Sequence, residues 1–200
     1  VTFPDTEVRA DVVGEADDAT VIAESLARPE RFAVIFDRYF AEVHRYAERR
    51  LGTEAADEIA SDTFLAAFGK RDRYRPGEPS ARPWLYGIAT NLIGKHRRRR
   101  GSASRAYQRA VLADIAERHD DQVAARVSAQ QRRAELTRAL AALSRGERDV
   151  LLLVALAEFS HEEVAQALGI PYGTVASRLS RARAKLRRSL TGIPASPDEE

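Results

Sequence analysis

The sequence predicts an all-α chain: an N-terminal bundle of three or four helices and a C-terminal helix-turn-helix bundle, two small domains joined by a flexible linker. Three observations predict it. Apolar residues recur three and four positions apart from Glu30 to Leu51 and again from Thr53 to Lys70, the spacing of a helix with one buried face. Two S-x-x-E capping boxes, Ser144 with Glu147 and Ser160 with Glu163, each open a new helix in the last third of the chain. Between these regions, 101–129 is polar, with Val111, Leu112 and Ile115 as its only apolar cluster. That composition suits a linker between domains. The expected division is therefore an acidic flexible arm (1–25), a first domain (26–100), a linker (101–129), a helix-turn-helix domain (130–190) and an acidic tail (191–200).

Composition narrows the class. Two hundred residues at 44% apolar content can build a core for each of two small domains. The net charge of +2 hides segregation, because the arginines gather in two blocks and the acids at the two ends. There is no cysteine, hence no disulfide and no thiolate metal site, which suits a reducing compartment. No apolar run approaches the roughly 18 residues that span a bilayer, and no signal-peptide pattern opens the chain. A cytoplasmic protein without membrane insertion is expected.

Taken in order, residues 1–25 hold Asp5, Glu7, Asp11, Glu15, Asp17, Asp18 and Glu24 against Arg9 alone, with no sustained periodicity. This reads as a mobile acidic arm, either solubilising or shielding a basic surface. The first helix, from Glu30, turns Phe32, Ile35, Phe36, Tyr39, Phe40, Val43 and Ala47 inward and stops at Gly52. In the second, Ala56, Ile59, Ala60, Thr63, Phe64, Ala67 and Phe68 form the inner stripe, leaving Glu58, Ser61 and Asp62 on the other face. No ligand-spaced histidine or third carboxylate accompanies the two acids, so a protein-binding face or a merely solvated one is expected, and no metal site.

Three prolines and a glycine make 70–83 a loop. A third helix follows, from Trp84 to about Arg100. Leu85, Ile88, Ala89 and Leu92 face its core, while Trp84, Asn91, Lys95 and Arg98 share a neighbouring strip. A ring, an amide and two cations suit unstacked bases and their phosphates, although Trp84 alone equally suits a core position. The run His96 to Arg100, HRRRR, adds positive potential.

In the second domain, Val150 to Ala157 is apolar all round and is expected to be the buried centre of the bundle. Gly169 ends the helix opened by Ser160, and Pro171 starts the next. That last helix places Val175, Leu179, Ala182, Leu186 and Leu190 on one stripe and Gly173, Ser177, Ser180, Arg181 and Ala184 opposite. Arg178 and Lys185 flank one side, Arg183 and Arg187 the other. From Pro171 to Leu190 there are six basic residues and no acid. A helix lying in a major groove between two phosphate strands has this character, with Ser177, Ser180 and Arg181 toward base edges. A solvated basic face would share it.

ARPWLYGIATNLIGKHRRRRG resembles the second conserved region of extracytoplasmic-function (ECF) sigma factors, and LSRGERDVLLLVALAEFSHEEVAQALGIPYGTVASRLSRARAKL resembles their fourth. The resemblance spans roughly 30–100 and 130–190, in the family's order. It implies a dissociable, non-catalytic subunit of bacterial RNA polymerase. By the same resemblance, Glu58, Ser61 and Asp62 would dock on the clamp of the largest polymerase subunit, with Ser61 standing where relatives often have glutamine. Trp84, Asn91, Lys95 and Arg98 would meet the opened minus-ten element of promoter DNA, and the loop Arg75 to Ser80 would supply a base pocket. Thr174, Ala176, Ser177, Arg178, Ser180, Arg181, Arg183 and Lys185 would meet the minus-thirty-five element, Ala176 replacing a residue that is basic in many relatives. An anti-sigma protein is an expected partner. No Gly-rich phosphate loop, nucleophile–base pair or metal cluster is evident, so neither catalysis nor a cofactor is expected. The alternative is a LuxR-like two-domain regulator, which shares much of the pattern from Ser144 to Leu186 but lacks WLYGIATN and HRRRR.

Overall fold

The computed structural model describes residues 16–75, 80–103 and 134–190, with side chains as far as Arg99 in the second stretch. Four helices form the first unit: α1 (Asp18–Ala27), α2 (Ala33–Leu51), α3 (Thr53–Gly69) and α4 (Arg82–Ala103). Four form the second: α5, described over 134–141, then α6 (Arg145–Ala157), α7 (His161–Leu168) and α8 (Tyr172–Leu190). Among the described residues there is no strand, and the two-domain helical prediction holds.

The first element corrects an expectation. From Asp18 onward the stretch read as an acidic arm is helix α1, with Asp17 as its N-cap accepting from the Thr20 amide at 2.7 Å. Val21 and Ile22 are buried in the same core as Ile35, Val43 and Ala47. A ten-residue helix has few turns in which to show a period, and its acids masked the apolar pair. Residues 1–15 lie outside the described part.

Helices α2 and α3 form an antiparallel pair whose turn is Gly52 at φ 86°, a value only glycine adopts without strain. Phe36, Phe40 and Phe64 meet across that pair at centroid separations of 4.6–5.9 Å. Leu85, Ala89 and Ile93 of α4 complete the core. Helix α4 begins two residues earlier than the spacing suggested and continues to Ala103, into the expected linker; residues 104–133 lie outside the described part.

In the second unit both capping boxes are formed. Arg148 closes the other end of the α5–α6 turn, donating to the carbonyls of Leu140, Ala141 and Leu143 at 2.8–3.0 Å. These are the orphan acceptors at a helix C-terminus, and a cation there also opposes the dipole. Helix α6 buries Val150, Leu151 and Leu153 but exposes Ala155 and only half-buries Leu152, Val154 and Leu156. It is a bundle wall rather than an enclosed centre, because a unit of four short helices cannot surround one of them. Gly169, at φ 61°, ends α7 in the left-handed conformation.

The two units meet along a seam between α4 and α7. Gly87 is required there: a Cβ at that position would lie 2.2 Å from the Ala167 carbonyl oxygen. Arg82 donates to the Ala157 carbonyl at 2.8 Å, and its guanidinium stands over the Phe159 ring, which in turn packs on Tyr86. Arg50 pairs with Asp149 at 2.6 Å, both side chains nearly dry. The Tyr46 hydroxyl accepts a second bond from Arg50 at 2.7 Å.

Candidate nucleic-acid interface

Helix α8 is anchored by Val175, Leu179 and Ala182, all buried, with Leu186 and Leu190 half-buried at its far end. The opposite face carries Gly173, Ser177, Ser180, Arg181, Arg183 and Ala184, all exposed. The wheel expectation therefore holds for the outward residues. Arg181 lies back along the helix, its Nε donating to the Ser177 carbonyl at 3.2 Å and Nη2 to the Ser177 hydroxyl at 3.4 Å. Ser177 in turn donates to the Thr174 carbonyl. Thr174 and Ala176 are half-buried beside this face.

Two of the expected cations are turned elsewhere. Lys185 reaches both carboxylate oxygens of buried Glu147 at 2.8 and 2.9 Å. Glu147 also accepts from the Ser144 amide at 2.9 Å. The Lys185 bond and then that amide hold the Glu147 carboxyl down to about 2. Arg178 lies against the start of α6, where a Cβ on Gly146 would come 2.9 Å from its Nη1. Both residues tie α8 to α6, and the contiguous outward set is Ser177, Ser180, Arg181 and Arg183.

Helix α4 presents Asn91, Lys95 and Arg98, all exposed, along one strip. Trp84, in the first turn, is half-buried, and its ring meets Tyr74 edge-on at 5.1 Å. It belongs partly to the core and partly to the strip. The basic run divides in the same way: Arg98 faces out, whereas Arg97 turns into the seam and donates to the Arg50 carbonyl at 2.6 Å. Burial, with Arg50 and Arg148 nearby, brings Arg97 down to about 10, so it is still charged at neutral pH.

The N-cap residue of α4 offers no side-chain acceptor. Ala81 occupies the N-cap position, its carbonyl accepting the first helical bond from Leu85 at 2.9 Å, and it has no side-chain oxygen to offer. Asp18 of α1 supplies the acceptor instead. Its Oδ2 takes the Ala81 amide at 2.7 Å and the Tyr39 hydroxyl at 2.6 Å, and its Oδ1 takes Arg38 Nη1 at 2.8 Å. Ser80 Oγ lies 3.2 Å from the Tyr39 hydroxyl and accepts from the Arg82 amide. Sequence reasoning missed Asp18, Arg38, Tyr39 and Ser80 as a group, since the contacts that join them, 20 to 41 residues long, leave no local pattern. The residues 76–79 of the expected base pocket lie outside the described part.

On α3, Glu58, Ser61 and Asp62 are exposed. Leu65, one turn further along that face, is 70% exposed and was also missed. Among the described residues no group of three potential ligands could hold a metal, and no helix is long and apolar enough to cross a membrane.

Comparison with known proteins agrees with this layout. The family model described as Sigma-70 region 2 matches residues 35–103, and that described as Sigma-70, region 4 matches 133–186. Over 149 residues the chain is 32% identical to the ECF RNA polymerase sigma factor SigC of Mycobacterium tuberculosis, covering 71% of this chain and 74% of the relative. It is 31% identical over 179 residues to SigM of the same species, an ECF RNA polymerase sigma factor, covering 88% and 86%. The fold is similar to that of CnrH, solved in complex with the cytosolic domain of CnrY, with TM-score 0.60 at 24% identity, covering 88% of this chain and 99% of that one. It is also similar to RpoE of Bartonella quintana, solved with the anti-sigma factor NepR, with TM-score 0.54 at 22% identity, covering 82% and 98%.

Proposed function

The chain belongs to the extracytoplasmic-function sigma factors, alternative sigma factors that direct promoter recognition by RNA polymerase, and from that premise we propose how its residues divide the work. Helix α8 reads the minus-thirty-five duplex with Ser177, Ser180, Arg181 and Arg183, while Thr174 and Ala176 border the contact. Lys185 and Arg178 support the helix more than they touch DNA. The strip of Trp84, Asn91, Lys95 and Arg98 on α4 captures the opened minus-ten strand by stacking, amide hydrogen bonds and phosphate contacts. Glu58, Ser61 and Asp62, with Leu65, dock on the clamp of the largest polymerase subunit.

One observation carries this reading. A single chain pairs an acid-free basic face on the second helix of a helix-turn-helix with an exposed amide-and-cation strip beside a half-buried tryptophan on a separate unit. A LuxR-like regulator accounts for the first and not the second, and the region-2 match over 35–103 does not favour it.

The working domains are residues 26–100, extended at the front by α1, and 130–190. The chain supplies no catalytic group; nucleotidyl transfer belongs to the core enzyme, and the site of action is the cytoplasm. An anti-sigma protein is a further partner by analogy with the relatives solved in such complexes. Simultaneous contact with both promoter elements also requires the seam to part. The elements are about 25 base pairs apart, roughly 85 Å at ~3.4 Å per pair, whereas α4, at 22 residues, is only about 33 Å long and touches the other unit directly.

The test is whether the chain co-elutes with bacterial core RNA polymerase and starts transcription from a two-element promoter. Duplex binding without polymerase association would overturn the reading.

A further inference from the structure

We propose that Asp18 is a positioning residue for promoter opening, acting as a helix cap delivered from α1 to the strand-capture helix α4. The proposal rests on the reading of the α4 strip given above. A helix start leaves its first amides unpaired, and ordinary proteins satisfy them with a serine, threonine, aspartate or asparagine at the N-cap. Here that position is Ala81, and Pro83 contributes no amide. The Ala81 amide goes to Asp18 and the Arg82 amide to Ser80, whose hydroxyl lies against Tyr39.

The carboxylate is buried, at 3% exposure, and its other oxygen is held by Arg38. A negative charge at this place also opposes the positive end of the α4 dipole. Trp84 stands three residues beyond the capped amide, inside the first turn. The cap therefore fixes the helix turn that carries the stacking residue, and through Tyr39 it also holds Ser80. Opening a duplex demands more of this geometry than binding one does, since each unstacked base has to be offset by contacts already in place. Among the described residues, the side-chain hydrogen bonds of Asp18 go to Arg38, Tyr39 and Ala81, away from α8 and from the exposed face of α3.

The experiment compares Asp18→Ala, Asp18→Asn, Tyr39→Phe and Asn91→Ala in the full chain bound to core polymerase. Three readouts are taken: core affinity, opening of a duplex promoter, and binding of a promoter already melted at minus ten. Asp18→Ala is expected to slow duplex opening about five- to tenfold, the loss of one helix cap, with core affinity and pre-melted binding within about twofold. Asp18→Asn keeps an acceptor for the Ala81 amide but loses the charge and the oxygen held by Arg38, and is expected to recover part of the rate. Tyr39→Phe, which keeps the ring packing and frees Ser80, is expected to show a smaller defect of the same kind. Equal losses in all three readouts that follow the melting temperature would reduce Asp18 to a fold residue and overturn the proposal. A selective defect in Asn91→Ala with none in Asp18→Ala would overturn the cap alone. No opening defect in Asn91→Ala would overturn the reading of the strip, and the proposal with it.

Discussion

Helices α4 and α8 both carry cations and polar groups toward DNA in the proposed function, yet they are held in opposite ways. Helix α8 is tethered along one stripe, and its neighbours in sequence set its entry: the Ser160–Glu163 box, the left-handed Gly169 and the Pro171 turn. Helix α4 is packed against α2 and α3 within its own unit, and the amide of its N-cap residue is held from 63 residues away. Duplex DNA arrives with its own rigid shape, so a reader need only present a face. An unpaired strand has no such shape, and the protein has to supply the rigidity. The difference in anchoring follows the difference in ligand.

The seam with α7 is a separate contact, one that in the proposed function has to part. Asp149→Ala would leave the Arg50 guanidinium buried without its carboxylate, a loss of about 3–5 kcal/mol for a dry ion pair broken on one side. In the intact chain burial works to lower the Arg50 pKa, and the Tyr46 and Asp149 oxygens more than offset it; Asp149→Ala removes part of that offset and leaves only the Tyr46 hydroxyl beside the cation. The expected result is that the units part: small-angle scattering gives a larger radius of gyration at unchanged helix content. Gly87→Val should do the same by steric means, since its Cβ has no room against Ala167. If both variants keep the native radius, these contacts are not what holds the two units together.

Helix α8 makes the complementary case. Arg181→Ala should lower transcription by about 1–3 kcal/mol in apparent binding, concentrated at one base pair of the upstream element, if the guanidinium reads a guanine bidentately. A panel of promoters varied singly across minus thirty-five checks this. A uniform loss would make Arg181 a phosphate contact and α8 a docking helix.

The same contrast explains what could be read from the sequence. Features of α8 depend on residues within a few positions of one another, so its caps, its buried stripe and the outward Ser177, Ser180 and Arg181 were legible. Glu58, Ser61 and Asp62 were legible as an exposed face for the same reason. Leu65 was not, because an isolated exposed leucine has no period. The cap on α4 and the seam pair of Arg50 and Asp149 are contacts across 63 and 99 residues, which periodicity cannot reveal. The pairing of Lys185 with Glu147 was hidden for a related reason: charge shows in a sequence, but a partner 38 residues away does not.

Lys185 sharpens that last distinction. If it serves α6 rather than DNA, Lys185→Met should destabilise the second unit at neutral pH while leaving the salt dependence of minus-thirty-five binding unchanged; a phosphate contact would instead reduce the salt slope by about one. The pH dependence supplies an independent sign. The folded Glu147 carboxyl titrates at about 2, below its ordinary value of 4.5. A depressed carboxyl stabilises the fold fully above the unfolded value and loses that contribution as pH falls from about 4.5 through 2. Lys185→Met removes the first cause of the depression, so the wild-type chain should melt higher than the variant at pH 6 and the two should converge toward pH 2. A gap that stays constant across that range would mean that Lys185 contributes through its aliphatic stem and not through Glu147.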